Sequence, residues 1–258
     1  MSGEFKTMLR LLKQKANSFL VKLREAPLNP GEKMPPLDQL AKRVQRLNCK
    51  HNFDAIQGWL SFDECRALYA LGFYLPDPFL EIGPWIGRST TCIALGIRDS
   101  GVAKSLVSCE LNPTLKNFRP LGNGVGFYVP EDGVECLGEM SLHDYKTGFE
   151  PILTQPGRAI GVLERNLTAQ GLRDKVKIIE GDFRSAPRKK YRFIFSDCLH
   201  NAAEIDQNAP ALRSFMEPGS IIACHDTYAG NEMRLKMHIP IGVSCMIDSL
   251  FIGEVIAN

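Results

Sequence analysis

Apolar positions along this chain fall into short runs, and each run carries or stops at an acidic or polar group. Phe79-Leu80-Glu81-Ile82 leads into Gly83, and Ser105 to Cys109 leads into Glu110. Val176 to Glu180 leads into Gly181-Asp182, Arg192 to Ser196 into Asp197, and Gly219 to Cys224 into His225-Asp226. Runs of this length, bounded by glycine and charge, predict strands buried in a sheet. Between them lie helical stretches, one opened by Ser89 and Thr90 and running through Cys92-Ile93-Ala94-Leu95, another starting near Arg158. One acid at a strand end is ordinary. Five in series describe a polar rim along the carboxyl edge of a parallel sheet, the edge at which open α/β sheets bind ligands.

The turn after the first run carries the strongest local signal. In Glu81-Ile82-Gly83-Pro84-Trp85-Ile86-Gly87-Arg88-Ser89-Thr90 two glycines allow close backbone approach, and a helix start offers free N–H groups to an anionic ligand group. Dinucleotide binding would need G-x-G-x-x-G, and phosphate cradling would need a P-loop lysine. Neither is present, so an oxidoreductase reading is disfavoured. Glu110, at the tip of the second strand, suits two ribose hydroxyls, because a carboxylate accepts two hydrogen bonds.

Residues 56–258 resemble the class I S-adenosylmethionine-dependent methyltransferases, nearest to the small-molecule O-methyltransferase-like group. The stretches that carry the resemblance are, in order, Ile56 to Ser61 as a lead-in helix, Glu81 to Thr90, Glu164 to Leu172, Glu180-Gly181-Asp182, Asp197 to His200, and Pro218 to Thr227. The resemblance implies a Rossmann-like, seven-stranded, mostly parallel sheet with an antiparallel last strand, plus N-terminal helices. His238 to Ile247 and Leu250 to Ile256 would form the final hairpin. It implies S-adenosylmethionine as cofactor, held by Glu81, Gly83, Pro84, Gly87, Ser89, Thr90, Glu110, Leu111, Gly181, Asp182, Phe183 and Asp197. Within that set Glu110 would take the ribose, the Gly83–Gly87 turn the amino-acid portion, and Asp182 with Phe183 the adenine edge.

Methyl transfer from a sulfonium is an in-line displacement, so the protein has to position the acceptor and remove a proton. In metal-dependent relatives of the catechol type an Asp-x-x-Lys follows the fourth strand, its aspartate on magnesium and its lysine acting as base. Here Asp197-Cys198-Leu199-His200 puts His200 at the lysine position, and an unperturbed imidazole suits a base at neutral pH. His225 is the second candidate base. Asp197, His225 and Asp226 are candidate ligands for Mg2+ or another divalent metal, with His225 tilting the choice toward manganese, iron or zinc.

Composition adds limits. A chain of 258 residues with a formal net charge of +2 can form one α/β domain with an appendage and has no general drive toward nucleic acid. Eight cysteines without a CxxC pair point to a reducing, cytoplasmic setting, and no apolar run reaches membrane-spanning length. Residues 1–50 read as a basic amphipathic helix (Phe5 to Arg24), a proline-rich linker (Pro27 to Pro36) and a short helix (Leu37 to Leu47). Residues 51–258 read as the methyltransferase domain, with an aromatic lid or substrate insertion at about 114–157. The first helix is expected to pack on the domain or to form a homodimer, a membrane-surface role being the sharper alternative. The expected acceptor is a small-molecule hydroxyl. The alternatives are N-methylation of an amine or peptide, and a cofactor-binding scaffold without catalysis.

Overall fold

The computed structural model describes residues 27–228 and 230–257, so the basic helix expected over residues 5–24 lies outside the described residues. Helix α1 (Leu37–Arg46) starts directly after Pro36 and buries Leu37, Leu40 and Val44 on one face. The lead-in helix expected over Ile56 to Ser61 does not form. That stretch is irregular, and helix α2 (Phe62–Tyr74) begins one residue later. Ser61 and Glu64 set this start: Ser61 Oγ accepts from the Glu64 N–H, and the Glu64 carboxylate accepts from the Ser61 N–H at 2.6 Å. This reciprocal pairing satisfies two otherwise orphaned donors and fixes where the helix can begin.

The central sheet contains β1 (Phe79–Ile82), β2 (Leu106–Glu110), β6 (Val176–Glu180), β7 (Phe193–Ser196), β8 (Ile221–Cys224), β9 (Ile241–Ile247) and β10 (Leu250–Val255). Their order is β6-β2-β1-β7-β8-β10-β9, and β10 runs antiparallel to both neighbours. This is the expected seven-stranded arrangement. The hairpin is shorter than expected: His238 closes a helix, α6 (Asn231–His238), where it bonds to Asp206 rather than to a strand.

Two-residue periodicity divides the core. Phe79, Phe193, Phe195, Ile221 and Ala223 face one side, with α1, α2, α3 (Arg88–Asp99) and α4 (Arg158–Ala169). Leu80, Ile194, Ile222 and Cys224 face the other side, with α5 (Ala202–Arg213) and α6. Burial on both faces explains why these strands read as continuous apolar runs. Helices α2 and α3 touch backbone to backbone, since a Cβ on Gly96 would lie 2.1 Å from the Tyr69 carbonyl oxygen.

The insertion has its own architecture. Strands β3 (Phe118–Leu121), β4 (Gly124–Tyr128) and β5 (Cys136–Ser141) form a separate antiparallel sheet, followed by short helical turns over residues 142–153. Phe118, Val125 and Leu153 make a small core with Trp85, Phe127, Tyr145 and Phe149 around it. The insertion therefore packs on the turn that follows β1. Among the described residues no helix is long and apolar enough to cross a membrane.

Candidate active site

Register levels the carboxyl ends of the strands. Ile82 pairs with both Cys109 and Ser196, Ser196 with Cys224, and Glu110 with Glu180. The residues after these positions converge above β1.

Glu81 sits inside the sheet rather than on the rim. It is fully buried, accepting from Ser89 Oγ at 2.7 Å and from Ser108 Oγ at 2.6 Å. Burial raises its pKa against those two bonds. Glu81 and Ser89 thus join β1 to β2 and to the start of α3, with Thr90 buried beside them. The glycines also approach protein. Gly83 has φ +76, and a Cβ there would lie 3.0 Å from the Asp197 carbonyl oxygen. Gly87, at φ +99, caps α3, and its Cβ would come within 2.5 Å of Leu163. A side chain at either position would need both the left-handed region and space already filled.

Glu110 ends β2 and is buried, with Trp85 N–H donating to Oε2 at 3.0 Å and Asn112 N–H to Oε1 at 2.9 Å. Burial pushes its pKa up to about 7 despite these bonds. Each oxygen keeps a second lone pair, so two acceptor positions remain for a diol. Leu111 beside it is half exposed, and Gly181 N–H donates to the Glu110 carbonyl at 2.8 Å. Asp182 caps the next turn and pairs with Arg184 at 2.8 Å. Phe183 is buried, with its ring 6.3 Å from that of Phe215.

Asp197 organises the ends of β7 and β8. Its Oδ1 faces His200 Nε2 at 3.1 Å and His225 Nδ1 at 3.3 Å. His200 Nδ1 faces Glu204 at 3.0 Å, while His225 Nε2 faces Glu64 at 3.6 Å and Asp226 at 3.7 Å. Burial opposes charge on both rings, but Asp197 with Glu204 pushes His200 up to about 10, and Asp197 with Glu64 pushes His225 up to about 10. Burial would likewise raise the Asp197 carboxyl, yet the two imidazoles hold it well below the usual carboxylate range. Glu64 falls to about 2 against burial, through His225, Ser61 and Ser249. An imidazolium has no lone pair, so either ring must lose a proton before it can act as a base. His200 is 40% exposed on its side chain, so water screens its pairing more than that of His225, at 5%.

The expected metal ligands do not converge. Asp197 and Asp226 address opposite nitrogens of His225. Among the described residues no group of three His, Cys, Asp or Glu side chains is arranged to hold a metal ion.

A cavity of about 40 Å³ lies between Gly83, Pro84, Trp85, Ser89, Asp197 and His225, with Trp59 and Arg88 at its border. Ligand pockets usually measure about 300–1,000 Å³, so admitting a cofactor requires opening. His200 does not line this cavity. A wider groove of about 590 Å³ runs along α4 by Pro156, Gly161 and Arg165, and none of the strand-end acids lines it. Sequence reasoning missed Glu64 and Glu204. The Ser61-x-x-Glu64 capping signature was visible, but its second role toward His225 was not.

A Rossmann-like sheet with this strand order and an acid-lined carboxyl edge defines a class I methyltransferase fold. The profile of a family described as "Methyltransferase domain" matches residues 80–227, more than half of the chain, and the chain belongs to that family, the S-adenosylmethionine-dependent methyltransferases. No curated protein matches it in sequence. Solved structures similar to it include the SAH-bound Podospora anserina methyltransferase PaMTH1, at 14% identity, covering 95% of this chain and 96% of that one, with a TM-score of 0.47. The O-methyltransferase NovP shares 15% identity over 75% of this chain and 79% of its own, with a TM-score of 0.49. The Bacillus cereus O-methyltransferase in complex with SAH shares 15% over 87% and 93%, with a TM-score of 0.44. Likenesses this distant carry no argument about acceptor or mechanism.

Proposed function

We propose that the chain methylates a hydroxyl of a small molecule, with the cofactor at the ends of β1 and β2 and the proton handled at the ends of β7 and β8. The observation that carries this reading is that Asp197 and His225 share one cavity with the glycine turn. Glu110 and the turn would hold the cofactor, whose bound form supplies an activated methyl group. Leu111 and Asp182 would border its adenine. Asp197 orients both imidazoles, and His225 is the ring on the cavity; His200, the base expected from the Asp-x-x-His turn, steadies Asp197 from outside.

Because carboxylates face both nitrogens of His225, the ring must first release a proton before it can take one from the acceptor. A rate that depends on it rises with pH. No step is derived through a metal, because the donors do not converge. A second reading, N-methylation, is favoured by the surplus of carboxylates (Asp197, Glu204, Glu64 and Asp226 around two imidazoles), which suits a cationic amine. The eight cysteines are free thiols, which supports a reducing, cytoplasmic setting. The insertion would act as a lid, and residues 5–24 would mediate a homodimer.

The test is methyl transfer from labelled S-adenosylmethionine to matched alcohol and amine panels, with His225→Asn as control. Product on alcohols that is lost in the variant supports the reading. Product on amines alone selects the second reading, and cofactor binding without any product selects the scaffold.

A further inference from the structure

Phe149 packs against both indoles of the chain, Trp59 and Trp85. Its ring stacks on Trp59, with centroids 5.3 Å apart and planes 26° apart, and lies 4.9 Å from Trp85 at 43°. Three separate parts of the chain meet there: the irregular stretch before α2, the turn after β1, and the insertion. Both separations fall in the range that aromatic pairs prefer, so the slot that Phe149 fills is one in which an aromatic ring meets both indoles.

The occupant also meets Phe118, at 5.7 Å, and is held by ring contacts rather than by full burial. The helical turns over Leu142–Asp144 and Tyr145–Phe149 contain no buried residue, whereas Trp85 is fixed by its backbone bond to Glu110. Segments with few buried contacts open at low cost. Trp59 is 58% exposed, an unusual place for an indole that the core does not need. The slot also lies on a definite side. Trp59 borders the cavity that holds Asp197 and His225, on β7 and β8, while the ribose candidate Glu110 lies on β2 across β1.

We propose that the slot lined by Trp59 and Trp85 is the acceptor subsite, that it takes a planar aromatic ring carrying the methyl-accepting group, and that Phe149 fills it until displaced. Calling the ring an acceptor rests on the methyltransferase reading; its binding does not. A flat ring presents π faces to both indoles, which a saturated ring of similar size does not.

The experiment is calorimetric titration of the protein, saturated with SAH, with 2-naphthol and with its saturated counterpart decahydro-2-naphthol as probes. SAH binding is measured first and alone, and its absence would sink the methyltransferase reading without touching the slot. With SAH bound, 2-naphthol should bind at least tenfold tighter than decahydro-2-naphthol. Trp59→Ala should weaken 2-naphthol about 2–10-fold, as expected for one aromatic pair, and Trp59→Phe should recover most of the loss. Phe149→Ala should tighten it by removing the internal competitor. Equal affinity for the two probes, no effect of Trp59→Ala, or weaker binding in Phe149→Ala would overturn the proposal while leaving the reaction class intact.

Discussion

Glu110 offers the sharpest quantitative test of the cofactor site. Its carboxyl is buried and titrates near 7, because burial outweighs the two backbone donors from Trp85 and Asn112. A diol donates hydrogen bonds and therefore prefers the carboxylate, so binding below pH 7 must release a proton. At pH 6 only about a tenth of the free protein is ionised, which costs about 1.4 kcal/mol, or tenfold in Kd, relative to high pH. Titration calorimetry of SAH at pH 6 and pH 8, in buffers of different ionisation enthalpy, reads both the affinity change and the proton count. Wild-type protein should bind about tenfold more weakly at pH 6 and release close to one proton there. Glu110→Ala should lose roughly 1–3 kcal/mol at pH 8 and show no pH dependence, as expected for charge-assisted hydrogen bonds. A wild-type Kd that stays flat from pH 6 to pH 8 would refute the reasoning.

Further expectations follow from the same geometry. Methyl transfer should rise with pH toward about 10, and Glu64→Gln should move that rise to lower pH by removing one partner of His225; a profile already flat at pH 7 in both proteins would exclude His225 as the base. His200 and His225 carry raised folded-state values, so their contribution to stability is complete below about 6.5 and is lost as pH rises through about 10. Thermal melts should fall across that window, and Asp197→Asn should flatten the trend. Activity should survive excess chelator, and a loss that a divalent ion restores would contradict the reading of the Asp197, His225 and Asp226 geometry. Gly96→Ala should destabilise by about 1–3 kcal/mol in denaturant unfolding, because its Cβ meets the Tyr69 carbonyl across the α2–α3 contact.

What the sequence revealed, and what it hid, follows from the range of the interactions. Strands β1, β2, β7 and β8 were legible because burial on both faces leaves largely apolar runs, and the edge strand β6 because Val176, Ile178 and Ile179 run into Gly181-Asp182. Ile56 to Ser61 misled because Gly58 and the Ser61 cap shift the helix start to Phe62. The β3–β5 sheet was hidden by Pro120, Gly126 and Gly138, which interrupt a strand pattern. The protonation of His225 could not be read, since it depends on Glu64, 161 positions earlier in the sequence. The pairing of Trp59 with Phe149 was hidden for the same reason: neither residue carries a local signal for the other.

The proposed cofactor site lies across the carboxyl ends of β1 and β2, with the reactive end toward Asp197 and His225. A crystal structure of the protein with SAH tests this most directly. The account predicts the ribose hydroxyls on the Glu110 carboxylate, the sulfur facing the cavity of Asp197 and His225, and Phe149 displaced from Trp59 and Trp85. SAH bound along the α4 groove by Gly161 and Arg165, with Glu110 still engaged only by Trp85 and Asn112, would contradict it.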